Sequence, residues 1–185
     1  MKTSTIETLG EMKEENEKNN WFWVLPEESA KFIHDLILKH DCKNGLEVGS
    51  FRGYSTVWIA SALKENKGKL VSIEIDKENA LATESNCQKA GLDNVGIICG
   101  DALDVLKDLG MVFDFVFIDA KKDDYLTYLQ FLLEKLDKKC VIVADNVISH
   151  KKKVADYLEF VKNLEGFTSK TIDIGKGLEI TIREH

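Results

Sequence analysis

The sequence predicts an α/β fold, with a doubly wound, mostly parallel sheet of seven strands that ends in an antiparallel hairpin. From residue 27 onward, short apolar runs rich in β-branched residues alternate with helical patterns. This alternation is typical of a parallel sheet whose two faces are covered by helices. Residues 169–184 (SKTIDIGKGLEITIRE) break the alternation, and we predict two strands there, joined through Gly175, Lys176 and Gly177.

The helices are predicted from apolar residues at helical spacing and from residues that favour helix ends. Four apolar residues form one stripe in the first core helix: Phe32, Ile33, Leu36 and Ile37. Gly91 is predicted to close the third helix, because glycine readily adopts the C-cap conformation. The helical patterns cover residues 26–40, 53–66, 77–91, 101 to about 109, about 123 to 136, and 154–164.

The strands are predicted from apolar runs that stop abruptly at a glycine or a polar residue. FDFVFI stops at Asp119, and VIVA stops at Asp145 and Asn146. In an open α/β sheet, ligands bind beyond the carboxyl ends of the strands, so a site is expected at these positions. The strand patterns cover residues 45–50, 69–76, 95–100, 113–119 and 140–146.

The composition indicates one intracellular domain. With 185 residues the chain is long enough for one core, and Pro26 is its only proline. We expect a single domain over residues 21–185, preceded by a charged arm (1–20) that is either flexible or a short accessory helix. The polar N-terminus does not resemble a signal peptide and no apolar run is long enough for a membrane span, so the expected location is the cytoplasm.

Cysteine spacing and charge exclude several classes of protein. Cys42, Cys87, Cys99 and Cys140 contain no C-x-x-C pair, which favours reduced thiols over a zinc site or a disulfide framework. The net charge of −7 argues against a large nucleic-acid surface.

The loop after the first strand and the end of the second strand together indicate an adenosine-containing ligand. Gly49 and Gly53 allow a tight turn and close backbone approach, although the full G-x-G-x-x-G spacing is absent. Glu74 follows at the distance where a carboxylate accepts both ribose hydroxyls. Asp101 either meets the adenine amino group or caps the helix predicted from residue 101 to about 109. Asp76 is the expected cap of the helix predicted over residues 77–91.

The polar residues after the fourth and fifth strands indicate a metal site. If these strands are neighbours, the side-chain oxygens of Asp119, Asp145 and Asn146 can converge on one point. Three hard oxygen ligands suit Mg²⁺ or a similar divalent ion and leave coordination positions for water and substrate. The alternative for each acid is a helix cap.

Taken together, these motifs closely resemble the cation-dependent class I S-adenosylmethionine O-methyltransferases related to catechol and caffeoyl-CoA O-methyltransferases. The resemblance covers residues 24–183, and the Rossmann-like sheet with a terminal hairpin is typical of class I methyltransferases. Its most specific parts are LEVGSFRGYST, SIEID, FIDAKKDDY, VADNV and GKGLEITI.

The resemblance implies roles for individual residues. Lys122 occupies the position of the catalytic lysine, with Lys121 as the competing candidate. A bound metal lowers the pKa of an acceptor hydroxyl, and a lysine near a cation is a plausible base. The implied metal ligands are Asp119, Asp145 and Asn146. The implied cofactor-binding residues are Glu47, Gly49, Ser50, Gly53, Tyr54, Ser55, Glu74, Ile75, Asp101, Ala102 and Asp119.

The acceptor is the open part of the prediction. The expected acceptor is a small catechol-like molecule with adjacent hydroxyls. The alternatives are methylation of a modified tRNA base hydroxyl, a non-catalytic S-adenosylmethionine-binding module and a nicotinamide-linked oxidoreductase.

Relatives commonly form dimers, so a homodimer is expected. Residues 21–23 (Trp21, Phe22 and Trp23) form an aromatic wall for the acceptor, a packing contact of the N-terminal arm, or a dimer contact. Lys151–Lys153 form either a contact for an anionic substrate group or a solvated charge run, and His150 is given no catalytic role.

Overall fold

A computed structural model describes residues 1–21 and 24–184, and its centre is a seven-stranded sheet. The strands are β1 (Asn44–Val48), β2 (Lys69–Glu74), β3 (Val95–Cys99), β4 (Phe113–Ile118), β5 (Leu136–Ala144), β6 (Thr168–Ile172) and β7 (Leu178–Arg183). Their order is β3-β2-β1-β4-β5-β7-β6. Strands β1 to β5 are parallel, and β7 runs antiparallel to both β5 and β6. The predicted doubly wound sheet with a C-terminal hairpin is therefore confirmed.

Helices cover both faces of this sheet. They are α1 (Thr3–Asn19), α2 (Glu27–Lys39), α3 (Tyr54–Glu65), α4 (Lys77–Lys89), α5 (Ala102–Asp108), α6 (Tyr125–Leu132) and α7 (Ala155–Lys162). Side chains of β4 alternate between two hydrophobic cores, one on each face of the sheet. Phe115 and Phe117 belong to the core under α1–α4, and Val116 and Ile118 belong to the core under α5–α7. This alternation is the period of two of a strand. Among the described residues, no helix has both the length and the apolarity to cross a membrane.

The structure differs from the prediction between residues 123 and 140. Helix α6 ends at Leu132, a short 3₁₀ turn follows, and β5 begins at Leu136 rather than at Cys140. Residues 137–139 are exposed and charged, so this part of β5 lacks the apolar pattern of a buried strand. Leu136 nevertheless pairs with Phe113 across an irregularity in the β4–β5 register.

The first 20 residues contain a 17-residue helix, α1, rather than irregular chain. Leu9 and Met12 are buried in the core shared with α2 and α3. The hydroxyl groups of Ser4 and Thr5 donate to the carbonyl of Ala90, which fixes α1 against the end of α4. The N-terminal segment is thus an integral layer of this face of the molecule.

Candidate active site

The ends of five neighbouring strands, β3-β2-β1-β4-β5, are aligned by four hydrogen bonds that continue the sheet one residue further. The amide of Gly49 donates to Ile73 (2.9 Å) and that of Gly100 donates to Glu74 (2.9 Å). On the other side of β1, the amide of Asp119 donates to Val48 (2.9 Å), and the amide of Asp145 donates to Ile118 (3.0 Å). These bonds bring the predicted cofactor and metal residues to one edge of the sheet, as expected for strands that run in parallel.

The loop between β1 and α3 (residues 49–53, the glycine loop) approaches β4 so closely that there is no room for a side chain at Gly49. Gly49 has φ +94°, and a Cβ there would collide with the carbonyl group of Asp119. Glu74 holds the loop from the other side, because its Oε2 accepts from the amides of Ser50 (3.1 Å) and Phe51 (2.8 Å). Gly53 (φ +90°) packs on Thr83 and lies outside both of the cavities described below.

Glu47 is fully buried behind this loop. Its carboxylate accepts hydrogen bonds of 2.6 Å from the hydroxyl groups of Ser55, Thr56 and Ser72. Burial raises the pKa of Glu47 to about 7, against the opposing effect of the three hydroxyl donors. Glu47 lines neither cavity, so the structure places it as a support for Ser55 and the loop rather than in direct reach of a ligand.

A cavity of about 290 Å³ lies on the β1–β3 side of the site. It is lined by several of the residues for which cofactor contacts were predicted: Gly49, Glu74, Ile75, Asp101, Ala102 and Asp119. Asp101 also caps α5, since its Oδ1 accepts from the amide of Leu103 (2.8 Å). The two alternatives for Asp101, helix cap and ligand contact, are therefore compatible. Asp76 caps α4 through the amide of Asn79 (2.8 Å), as predicted.

A second cavity, of about 550 Å³, lies on the side of α1, β5 and the terminal hairpin. Its lining includes Ser50 of the loop and the first two residues of α3, Tyr54 and Ser55. The two cavities share a wall formed by Gly49, Phe51, Asp119, Ala120 and Lys121. A ligand extending from the smaller cavity into the larger one would pass the glycine loop on one side and the end of β4 on the other.

The predicted metal ligands meet at the ends of β4 and β5. Asp119 and Asn146 line the larger cavity, and Asn146 has φ 64°, which turns the chain sharply after the strand. Asp145 is buried, its Oδ2 accepts from Nδ2 of Asn146 (2.8 Å), and no described residue donates to its Oδ1. Burial, with a smaller contribution from the nearby charge of Asp119, raises the pKa of Asp145 to about 7.

This donor set fits a divalent cation. A buried carboxylate oxygen without a donor is costly, and a cation would satisfy it while relieving the repulsion between two carboxylates. Within residues 1–21 and 24–184, no group of three His, Cys, Asp or Glu side chains is arranged to hold a metal. The predicted set differs from such a group because its third ligand is the amide oxygen of Asn146, which also suits Mg²⁺.

Lys122 is held next to these ligands. Its ammonium group donates to Oδ1 of Asp119 (2.7 Å) and to the carbonyl of Ala120 (3.1 Å), and it lies 5.2 Å from the ring centroid of Tyr125. Its side chain is only 14% exposed, whereas that of Lys121 is 67% exposed and pairs with Asp124 (3.0 Å). Of the two candidate lysines, Lys122 is therefore the one fixed beside the site.

The sequence did not indicate how α1 takes part in the site. Met12 and Asn16 line the larger cavity together with Phe51, whose φ of 49° is unusual for a residue other than glycine. The ring of Trp21 packs edge-on against Phe51, with 5.5 Å between centroids, and the guanidinium of Arg52 lies 4.7 Å from the centroid of Trp21. Trp21 thus makes a packing contact, while Phe22 and Trp23 lie outside the described residues.

Comparison with known proteins assigns the family. A model of the O-methyltransferase family matches residues 2–172, which is most of the chain. The chain belongs to this O-methyltransferase family. The resemblance inferred from the motifs is thereby confirmed.

One curated relative and two solved structures illustrate the similarity. A catechol O-methyltransferase from Niastella koreensis is 41% identical over 124 residues, which cover 64% of this chain and 56% of the relative. The chain therefore matches little more than half of that protein's length. An O-methyltransferase from Bacillus cereus in complex with SAH has a TM-score of 0.85 at 26% identity, covering 96% of this chain and 91% of that one. TomG from Streptomyces achromogenes, an O-methyltransferase of tomaymycin synthesis in complex with SAM, has a TM-score of 0.86 at 26% identity, covering 97% and 90%.

Proposed function

We propose that the protein transfers the methyl group of S-adenosylmethionine to a hydroxyl group of a small, catechol-like acceptor with adjacent hydroxyls, assisted by a divalent cation, Mg²⁺ in the first instance. The observation that carries the proposal is the shared wall of the two cavities. There the glycine loop meets Asp119, whose carboxylate accepts from the side-chain nitrogen of Lys122. Asn146 lies in the adjoining lining of the larger cavity, with Asp145 buried beside it.

The smaller cavity and the glycine loop supply the cofactor-binding groups. Glu74 would bind the ribose hydroxyls, and Ile75, Asp101 and Ala102 would surround the adenine. The methionine part would lie along the glycine loop near Ser55, which Glu47 orients from behind. The similar O-methyltransferases from Bacillus cereus and Streptomyces achromogenes were solved with SAH and SAM, which supports the choice of cofactor.

In the reaction, a lone pair of the acceptor oxygen attacks the methyl carbon, and the carbon–sulfur bond breaks with its electron pair passing to sulfur. S-adenosylhomocysteine is the leaving product. A divalent cation, when bound by Asp119, Asp145 and Asn146, lowers the pKa of the acceptor hydroxyl and orients it. The amine of Lys122 would take the hydroxyl proton, since this side chain is fixed next to the ligand set by Asp119 and Ala120.

We also infer a single catalytic domain over residues 21–185, with α1 completing its larger cavity, and a cytoplasmic homodimer. Light scattering of the purified protein over a range of concentrations measures the oligomeric state directly. A particle of one chain mass, 20.9 kDa, at all concentrations would refute the dimer.

The test of the proposed function combines calorimetry and turnover. Titration with S-adenosylmethionine is expected to show binding, and catechol with Mg²⁺ is expected to yield a methylated product that disappears with EDTA and in Asp145→Ala. Exposed Asp173 provides the control, and Asp173→Ala should retain turnover. Cofactor binding without turnover of any catechol would refute the proposed acceptor and leave a binding module or tRNA methylation. Binding of NAD without binding of S-adenosylmethionine would refute the proposal entirely.

A further inference from the structure

The larger cavity is rich in basic side chains although the chain is acidic. The formal net charge is −7, yet five of the lining residues are Lys or Arg and only two are Asp. A cleft lined by charges of one sign concentrates ligands of the opposite sign. The basic lining of this cavity is opposite in sign to the net charge of the chain, so it bears on the ligand that the cavity binds.

Two of these basic groups, Arg52 and Lys122, have partners within the chain. Arg52 lies within the glycine loop, where its guanidinium pairs with Glu15 (3.3 Å) and lies over the ring of Trp21. Lys122 is bound to Asp119. These two side chains therefore have structural or catalytic partners, and a ligand group is not needed to explain them.

Lys153 lies on the segment that follows Asn146, and it lines the same cavity as Asn146. The chain after Asn146 winds back on itself, because the amide of His150 donates to Asn146 (2.9 Å) and the amide of Lys153 donates to His150 (2.8 Å). This turn places His150 and Lys153 in the cavity lining, whereas Lys151 and Lys152 of the same run are exposed and lie outside the described lining.

Lys176 reaches the same side from the hairpin. Its carbonyl accepts from the amides of Ile148 (3.2 Å) and Ser149 (3.1 Å), which fixes the β6–β7 turn against the chain after Asn146. Its charge also acts on Asp145, where it opposes the larger effect of burial on the pKa of that carboxyl. Two separate segments thus bring one lysine each to the cavity next to the metal ligands.

The existing partner of Lys153 leaves it able to bind a ligand. Its ammonium lies 3.8 Å from Oδ2 of Asp123, and the two side chains are 57% and 55% exposed. An exposed ion pair at this separation contributes little, so an anion that reaches Lys153 can displace Asp123.

We infer that the acceptor carries an anionic group, a carboxylate in the simplest case, and that Lys153 and Lys176 bind this group. The inference deepens the proposed function and rests on it for the methylated hydroxyls, which would lie towards Asp119 and Asn146. A cavity of about 550 Å³ has the size of sites for small molecules, which favours an aromatic acid with adjacent hydroxyls. Lysine recognises such a group as a mobile point charge.

The test compares 3,4-dihydroxybenzoate with catechol, which differ by the carboxylate. Binding of each is measured by calorimetry in the presence of S-adenosylhomocysteine and Mg²⁺, and turnover is measured as kcat/KM. In the wild type the acid is expected to be preferred, with a preference that weakens as salt is added. Lys153→Gln and Lys176→Gln should each lower the preference for the acid, measured as the ratio of its kcat/KM to that of catechol, by about two- to fivefold, the loss expected for one ion pair of an accessible lysine.

Exposed lysines on the same two segments are the matched controls. Lys152→Gln and Lys170→Gln should leave the ratio unchanged, since neither residue belongs to the described lining. The inference would be overturned if the wild type bound the two compounds equally. It would also be overturned if the control variants lost as much of the preference for the acid as Lys153→Gln and Lys176→Gln do. Preferential binding of the acid without turnover of either compound would support the anionic subsite while refuting the proposed function, so the two failures are distinguishable.

Discussion

The buried carboxyl group of Glu47 gives the protein a pH-dependent stability that a single substitution can isolate. Glu47 is completely buried, and three hydroxyl donors at 2.6 Å only partly replace the water lost by its carboxylate. Burial raises its pKa from the ordinary 4.5 to about 7. Between these two values the folded chain holds a proton on Glu47 that the unfolded chain has released.

The sign and the magnitude follow from this difference. Because the folded state binds the additional proton, the contribution of Glu47 to the free energy of unfolding is greatest below pH 4.5 and falls as the pH rises towards 7 and above. One pKa unit corresponds to about 1.4 kcal/mol, so the total decrease is of the order of 3 kcal/mol. Glu47→Gln cannot ionise and should lack this decrease.

The assay is urea unfolding at intervals from pH 4.5 to pH 8, with EDTA present so that no metal contributes. The difference in unfolding free energy between wild type and Glu47→Gln should shift steadily in favour of the variant as the pH rises. Glu165 is exposed, and Glu165→Gln should follow the wild type at every pH. Parallel curves for the wild type and Glu47→Gln above pH 5 would show that Glu47 ionises normally and would refute the reasoning.

Three further predictions concern the loop, the metal and the base. Gly49→Ala should destabilise the fold by at least about 2 kcal/mol in urea unfolding, because the backbone has φ +94° and the new Cβ meets Asp119, whereas Gly110→Ala has open space and should cost less than about 1 kcal/mol. Asp145→Asn should abolish the rise in melting temperature caused by Mg²⁺, while Asp173→Asn should retain it; an equal rise in both would contradict the ligand assignment. Lys122→Met should lower kcat by roughly 10²–10⁴-fold without weakening S-adenosylmethionine binding, and a larger loss in Lys121→Met would transfer the role to Lys121.

The parts of the fold that were predictable are those in which burial leaves a regular pattern. Strand β4 is apolar on both faces because it lies in the middle of the sheet, so FDFVFI was recognised with its end at Asp119. The first half of β5 was missed because it is exposed and charged, and its pairing of Leu136 with Phe113 is a long-range contact. Helix α1 was left open for the same reason, since few of its side chains are buried.

The positions of candidate-site residues were predictable where the residue directly follows a strand that the sequence also predicts. Asp119, Asp145 and Asn146 follow directly from strand order and from the parallel register of β4 and β5. Phe51 and Lys176 were missed because their roles depend on contacts made by distant segments: α1 and Trp21 for Phe51, and the chain after Asn146 for Lys176. A positive φ at a residue other than glycine leaves no signal in a single sequence.

The groups proposed for the cofactor and those proposed for the acceptor lie on different parts of the sheet edge, at β1–β3 and at β5–β7. Residues 45–102 carry most of the groups proposed for the cofactor, whereas the basic acceptor-side groups lie in residues 147–154 and in the turn between β6 and β7. The two sets meet at the end of β4, around Asp119 and Lys121. The two acceptor-side segments are joined by hydrogen bonds from the backbone amides of Ile148 and Ser149 to the carbonyl of Lys176. Exchange of both segments together offers a route to new acceptor specificity in which the half proposed for the methyl donor keeps its structure.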